Sequence, residues 1–162
     1  MKKTEYAMPS MPAVIEPLKT ADVREIGNTL AAMDPWLTLG YQPEALSHYL
    51  LRADPALRRY SLFVSDNLAG VLAVRHPWLF GPFIELIALF GGNRGKGLGR
   101  MLIEWVCAQF PNSPNLWATV SSFNRDAREF YDRLGFEQSA TLDNLIRAGR
   151  EEILLRKRLS RE

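Results

Sequence analysis

The residues of this chain best placed to do chemistry form one short run, Asn93-Arg94-Gly95-Lys96-Gly97-Leu98-Gly99-Arg100, in which glycines alternate with basic side chains. Glycine removes the side chains that would keep a ligand away from backbone N–H groups. The run follows an apolar segment, Phe83 to Phe90, and opens a stretch whose apolar residues Leu98, Met101, Leu102, Trp105 and Val106 recur at helical spacing. Open amide donors and the positive end of a helix dipole then meet at one point, a setting suited to phosphate. Arg94, Lys96 and Arg100 add positive charge. A plain glycine-rich turn with incidental basic residues is the competing reading.

Two familiar phosphate loops fail on spacing. A Walker loop needs four residues between its first glycine and the Gly-Lys-Ser/Thr ending. Gly91 and Gly95 enclose three, and Gly97 stands where the hydroxyl belongs. A dinucleotide fingerprint needs a third glycine three residues after the second. Counted from Gly97 or Gly95, that place is Leu102 or Arg100.

Three further residues invite a role. Glu85 is a lone carboxylate in an otherwise apolar strand, costly to bury unless it is paired or functional. Asn124 opens a second amphipathic stretch, where it can act as a helix cap. Tyr131 follows seven residues later on the same face, ahead of Leu134-Gly135-Phe136. Core packing is the alternative for Tyr131, and an arginine pair the alternative for Glu85.

Together, the Arg94-x-x-Gly97-x-Gly99 pattern and the Asn124…Tyr131…Leu134-Gly135-Phe136 arrangement resemble the GNAT superfamily of acetyl-CoA-dependent N-acetyltransferases. The resemblance runs from Ala13 to Leu159, since the order of elements matches as well. It implies acetyl-CoA as co-substrate and no metal. It assigns the pyrophosphate of coenzyme A to Arg94, Gly95, Lys96, Gly97, Leu98 and Gly99, with Arg100 as an added phosphate contact. It assigns the pantetheine arm to Ile87, Ala88, Leu89 and Asn124, and places Tyr131 near the thioester sulfur. Polyamine acetyltransferases of the superfamily carry a glutamate matching Glu85, four residues before Leu89. Relatives that acetylate ribosomal protein N-termini carry a glutamate where this chain has Thr119.

Acetyl transfer to an amine needs a proton acceptor, a donor for the developing oxyanion and a proton for the departing thiolate. Glu85 is the candidate base, acting through water. By resemblance the Leu89 N–H is the oxyanion donor, and Tyr131 is the candidate acid. A phenol near pKa ~10 is a weaker acid than a thiol near ~8.5, so its proton moves late. Cys107 sits on an apolar helix flank and reads as packing, which favours direct attack in a ternary complex. A non-catalytic acyl-CoA-binding module is the rival reading; it would need the loop but neither Glu85 nor Tyr131.

The elements that must position these residues are legible in outline. Ala13 to Leu18 reads as a strand, Thr20 caps a helix carrying Val23, Ile26, Leu30 and Met33, and Pro43 starts another. Strands follow at 60–65 and 68–76, joined by a tight turn at Asp66-Asn67, then at 83–90. A helix over 98–110, a strand over 116–121, a helix over 124–134 and strands over 135–141 and 151–159 complete the order βααβββαβαββ. This is an α/β fold with a mixed, partly antiparallel central sheet flanked by helices. Residues 13–162 read as one domain, and 1–12 as an extended or disordered lead-in.

Composition narrows the partners. A chain of 162 residues with 47% hydrophobic and 23% charged content is sized and composed for one globular core. Twenty Lys and Arg against 18 Asp and Glu argue against nucleic acid. One cysteine excludes an internal disulfide framework, and with two histidines beside it argues against a His/Cys zinc site. Without a membrane span or export signal, a cytoplasmic protein is expected. The acceptor is expected to be a small-molecule or peptide amine. By the same resemblance the link Asp34 to Tyr41 shapes its pocket, with Trp36 and Tyr41 as an aromatic wall and Asp34 attracting an ammonium; packing of the two helices on the sheet is the alternative. Trp78, Leu79 and Phe80 form a candidate homodimer contact.

Overall fold

In the computed structural model, residues 4–8 and 11–159 are described. Eight strands form one sheet: β1 (Thr4–Met8), β2 (Met11–Pro17), β3 (Leu57–Val64), β4 (Asn67–Trp78), β5 (Gly81–Leu89), β6 (Asn115–Ser121), β7 (Glu137–Asp143) and β8 (Glu151–Arg158). Their spatial order is β1-β2-β3-β4-β5-β6-β8-β7. Among the described residues five α-helices accompany them: α1 (Val23–Ala31), α2 (Trp36–Leu39), α3 (Pro43–Leu51), α4 (Leu98–Gln109) and α5 (Arg125–Arg133).

Two apolar layers hold this sheet. On one face, Leu98, Leu102 and Val106 of α4 pack on Leu72, Ile84, Ala118 and Ile153. On the other, Ile26 and Leu30 of α1 and Leu46 and Leu50 of α3 pack on Val71, Ala73 and Leu86. Each fully buried leucine contributes roughly 2 kcal/mol. Because side chains alternate along a strand, Ala118 and Val120 facing α4 turn Thr119 and Ser121 toward the α1–α3 side. Ile153 and Leu155 likewise turn Glu152 to that side.

Every neighbouring pair among the described strands is antiparallel except β5 and β6, which the α4 crossover makes parallel. These two are joined at Phe83↔Trp117 and Ile84↔Ala118 and then part. The sheet is therefore split over the C-terminal half of β5. A second irregularity sits beside the split. Ala73 pairs with Leu86 but Val74 with Ile84, leaving Glu85 as the extra residue of a β-bulge.

The mixed sheet and the expected order of elements are present, with differences. The lead-in holds β1, which pairs with β2 from Thr4↔Ile15 to Met8↔Met11. Its sequence lacks a strong alternation, and the strand is explained by the backbone edge that β2 would otherwise expose. Residues 1–3, 9–10 and 160–162 lie outside the described residues. The hairpin turn falls at Ser65-Asp66, both with positive φ (49° and 65°), one residue earlier than expected. No Thr20 cap forms; a 3-10 turn at Thr20–Asp22 leads into α1. The link after α1 contains α2, closed by Gly40 at φ 78°. At the β4–β5 turn Leu79 and Phe80 are exposed, whereas Trp78 stacks on Phe83 with centroids 4.6 Å apart.

Candidate active site

The opening between β5 and β6 leads into a cleft of about 590 Å³ that runs from the glycine loop to the α1–α3 face of the sheet. Its basic end is built by backbone. Gly97 precedes α4 at φ 80°, a left-handed conformation that costs other L-residues roughly 1–2 kcal/mol. The first intrahelical bond runs from Met101 N to Gly97 O at 3.0 Å, and no side chain caps the helix. The preceding N–H groups are therefore left to a ligand. Gly99 has a different reason. A Cβ there would meet Phe130 Cε2 at 2.9 Å, so glycine lets α5 lie against the start of α4.

Phe90 N donates to Ala69 O at 2.8 Å, so the even-numbered N–H groups at this end of β5 point toward β4. Ile87 and Leu89 consequently turn their backbone groups to the open side, where β6 has departed. The expected strand-like ligand contact at residues 87–89 thus rests on Ile87 and Leu89. Ala88 lines the cleft but directs its backbone to Val71 of β4.

Glu85, Leu89, Arg94, Gly95, Gly97, Gly99, Arg100, Asn124 and Tyr131 also line this cleft. Lys96 and Leu98 are not lining residues; Lys96 is exposed, and the Leu98 side chain is buried in the core. Asn124 Oδ1 accepts from Ala127 N at 3.2 Å, so its side chain caps α5. Tyr131 is buried between Phe130 and Phe136 in edge-on contacts of 5.2 and 5.0 Å. Burial pushes its pKa well up, which keeps the hydroxyl protonated. Cys107, half-buried on α4, does not line the cleft, and burial pushes its thiol pKa up.

At the other end the cleft is acidic. Glu85, at the bulge, faces the α1–α3 side, where Arg75 Nε donates to its Oε2 at 2.6 Å and Arg75 Nη2 to its Oε1 at 3.3 Å. Arg75 Nη2 also meets Asp54 Oδ2 at 3.0 Å. The hydrogen bonds that Arg75 donates to Glu85, and then to Asp54, push its pKa up against the opposing effect of burial. Burial first, and Glu85's charge second, raise that of Tyr49. The arginine pairing considered for Glu85 thus exists, in a residue that also faces the cleft. Asp34 lines the cleft too, but its Oδ1 accepts from Thr38 N at 3.1 Å and Thr38 Oγ1 at 2.5 Å, capping α2. Trp36 and Tyr41 form the expected aromatic lining.

One acidic residue escaped the sequence reading. Glu152 on β8 is 3% exposed, lines the cleft and accepts from Ser121 Oγ at 2.7 Å through Oε1. Burial raises its carboxyl pKa, against the opposing effect of the Ser121 hydrogen bond. In sequence it follows Arg150-Glu151 and looks like part of a solvated charged run. The inward positions of Ile153 and Leu155 were the one faint signal.

A split mixed sheet with an uncapped, glycine-rich helix start at one end of the cleft and carboxylates at the other defines the class of protein. The chain belongs to the Acetyltransferase (GNAT) family, whose model matches residues 24–136. Over 73 residues it is 37% identical to streptothricin acetyltransferase of Streptomyces lavendulae, a match spanning 43% of this chain and 39% of that relative's length. Its fold is similar to that of an acetyltransferase from Thermus thermophilus, with TM-score 0.72 and 21% identity over 91% of this chain and 97% of the other. It is also similar to spermidine N-acetyltransferase from Vibrio cholerae in complex with CoA and spermine, with TM-score 0.66 and 18% identity over 89% and 94% of the two chains. Among the described residues no helix is long and apolar enough to cross a membrane.

Proposed function

We propose that residues 13–162 act as a single N-acetyltransferase domain that moves the acetyl group of acetyl-CoA to a primary amine by direct attack in a ternary complex. The observation that carries this reading is the unpaired edge of β5, which runs from the open N–H groups of α4 to the carboxylate-lined mouth. The residues present fit coenzyme A: free amides and Arg94 and Arg100 for its phosphates, and outward backbone groups of Ile87 and Leu89 for its amide-bearing arm. Acetyl-CoA supplies an activated acetyl carbonyl and a thiol leaving group.

The chain's own groups then divide the work. Leu89 N–H donates a hydrogen bond where the carbonyl oxygen gains charge. Glu85, oriented by Arg75, takes the amine's proton through water. Tyr131 holds its proton because of burial and offers it late to the sulfur. Cys107 lies off the cleft, in keeping with attack that forms no acyl-enzyme. The two relatives named for streptothricin and spermidine support an amine acceptor, and a reducing cytoplasm suits the single free thiol.

Thiol release from acetyl-CoA with a panel of small amines, peptides and streptothricin-like compounds tests the proposal. Turnover with at least one amine and a saturable acetyl-CoA isotherm are expected. Acetyl-CoA binding without turnover on any amine would instead favour a non-catalytic acyl-CoA-binding module.

A further inference from the structure

Besides Asp126 on α5, three carboxylates line the cleft, Asp34, Glu85 and Glu152, and they are not equivalent. Glu85 shares Arg75 with Asp54 behind it, and Arg52 Nη2 lies 3.6 Å from Asp54 Oδ2, so two carboxylates face two guanidinium groups. That cluster is balanced. Asp34 spends its Oδ1 on the α2 cap. Glu152 is different: among the described residues no cation pairs with it, its hydrogen bond is the one from Ser121 to Oε1, and it is 3% exposed. A carboxylate buried without a counter-charge costs several kcal/mol unless a cation or a proton joins it.

The reacting nitrogen and a lone buried carboxylate suit each other poorly. Attack needs a neutral amine, whereas an unbalanced carboxylate beside an ammonium holds the proton on nitrogen. The balanced surroundings of Glu85 lack that effect. Trp36 and Tyr41 line the same end of the cleft, offering aromatic faces that attract alkylammonium groups. Tyr41 lies close enough to Glu152 for its charge, after burial, to push the phenol pKa up.

Resting on the transferase reading, we infer that the acceptor carries two amino groups, one reacting beside Glu85 and the other, still charged, seated on Glu152. The substrate class is a diamine or a larger molecule with a second amine. Glu152 is then a specificity-determining residue and takes no part in the bond changes.

The test pairs linear diamines with monoamines of the same carbon count: diaminobutane with butylamine and diaminohexane with hexylamine. Thiol release supplies KM and kcat, and calorimetry on the CoA-loaded protein supplies diamine binding without turnover. Wild type is expected to show a KM for each diamine at least tenfold below its partner monoamine. Glu152→Gln closes that gap and weakens calorimetric diamine binding at least tenfold, while Glu152→Asp, which keeps the charge, preserves part of both.

A wild type with no gap between the paired amines overturns the inference while leaving transfer standing. So does a Glu152→Gln protein that lowers kcat alike on both amines with the KM gap intact, which would make Glu152 a proton acceptor. Diamine binding that depends on Glu152, with no thiol release from any amine, upholds the seat and defeats the transfer reading. The wild-type comparison needs no variant, so a poorly folded substitution does not blunt it.

Discussion

Arg75 and Glu85 meet across β4 and β5, Nε to Oε2 at 2.6 Å, at the point where the pairing of those two strands slips by one residue. Alternation from Ile84, buried under α4, sends Glu85 to the opposite face, the slip puts Leu86 on that same face, and the arginine holds Glu85 beside the cleft. The carboxylate thereby lines the cleft with its counter-charge already in place.

For that pair, Glu85→Gln keeps the shape and removes the charge. It is expected to lower kcat about a hundredfold or more while leaving acetyl-CoA affinity unchanged in calorimetry. Full turnover in this variant would remove Glu85 from the mechanism. Arg75→Met leaves two carboxylates without their shared partner and is expected to cost about 2 kcal/mol in urea unfolding.

Tyr131→Phe retains both edge-on ring contacts and deletes only the hydroxyl, so stability should change little while kcat falls at least about tenfold. The pH profile carries a sharper expectation. Burial raises the Tyr131 pKa, so the neutral, donating form persists to higher pH than that of an ordinary tyrosine near ~10. An alkaline limb that is present below pH ~10 in wild type and missing in Tyr131→Phe would contradict this.

The glycine loop separates packing from binding. Gly99→Ala pushes a methyl group into Phe130, which lies 2.9 Å from the position of the new Cβ, and should destabilise by about 1–3 kcal/mol. Arg94→Ala touches no core residue. It should leave the melting temperature unchanged and weaken acetyl-CoA binding about tenfold, the scale of one charge-assisted hydrogen bond.

Glu152 makes stability depend on pH. Its folded-state carboxyl pKa is raised by burial, so the folded chain holds that proton more tightly than the unfolded chain does. Stability is therefore lost as pH rises from the unfolded value near ~4.3 through the raised folded one, and the loss is constant above it. Glu152→Gln, which can still meet Ser121, should raise the urea midpoint at pH 8 and bring no gain at pH 4. Equal midpoint shifts at both pH values would argue against a destabilising buried charge.

Much of this site was legible because it is local. The strand, glycine loop and helix from Phe83 to Phe110 are adjacent in sequence, and apolar periods of two and 3.6 residues report each in turn. Asn124 and Tyr131 share one helix, so their spacing alone places them on a common face. The mixed sheet followed from the order of strands and helices.

What stayed hidden depends on partners far away in the chain. The bulge at Glu85 exists only against the register of β4, and the outward amides of Ile87 and Leu89 only because β6 departs after Ala118. Glu152 becomes a buried carboxylate when β8 lays it opposite Ser121, 31 residues earlier. Local periodicity reports which face of an element is apolar. Which charge is balanced inside the cleft is set by strand register, and register is a property of the assembled sheet.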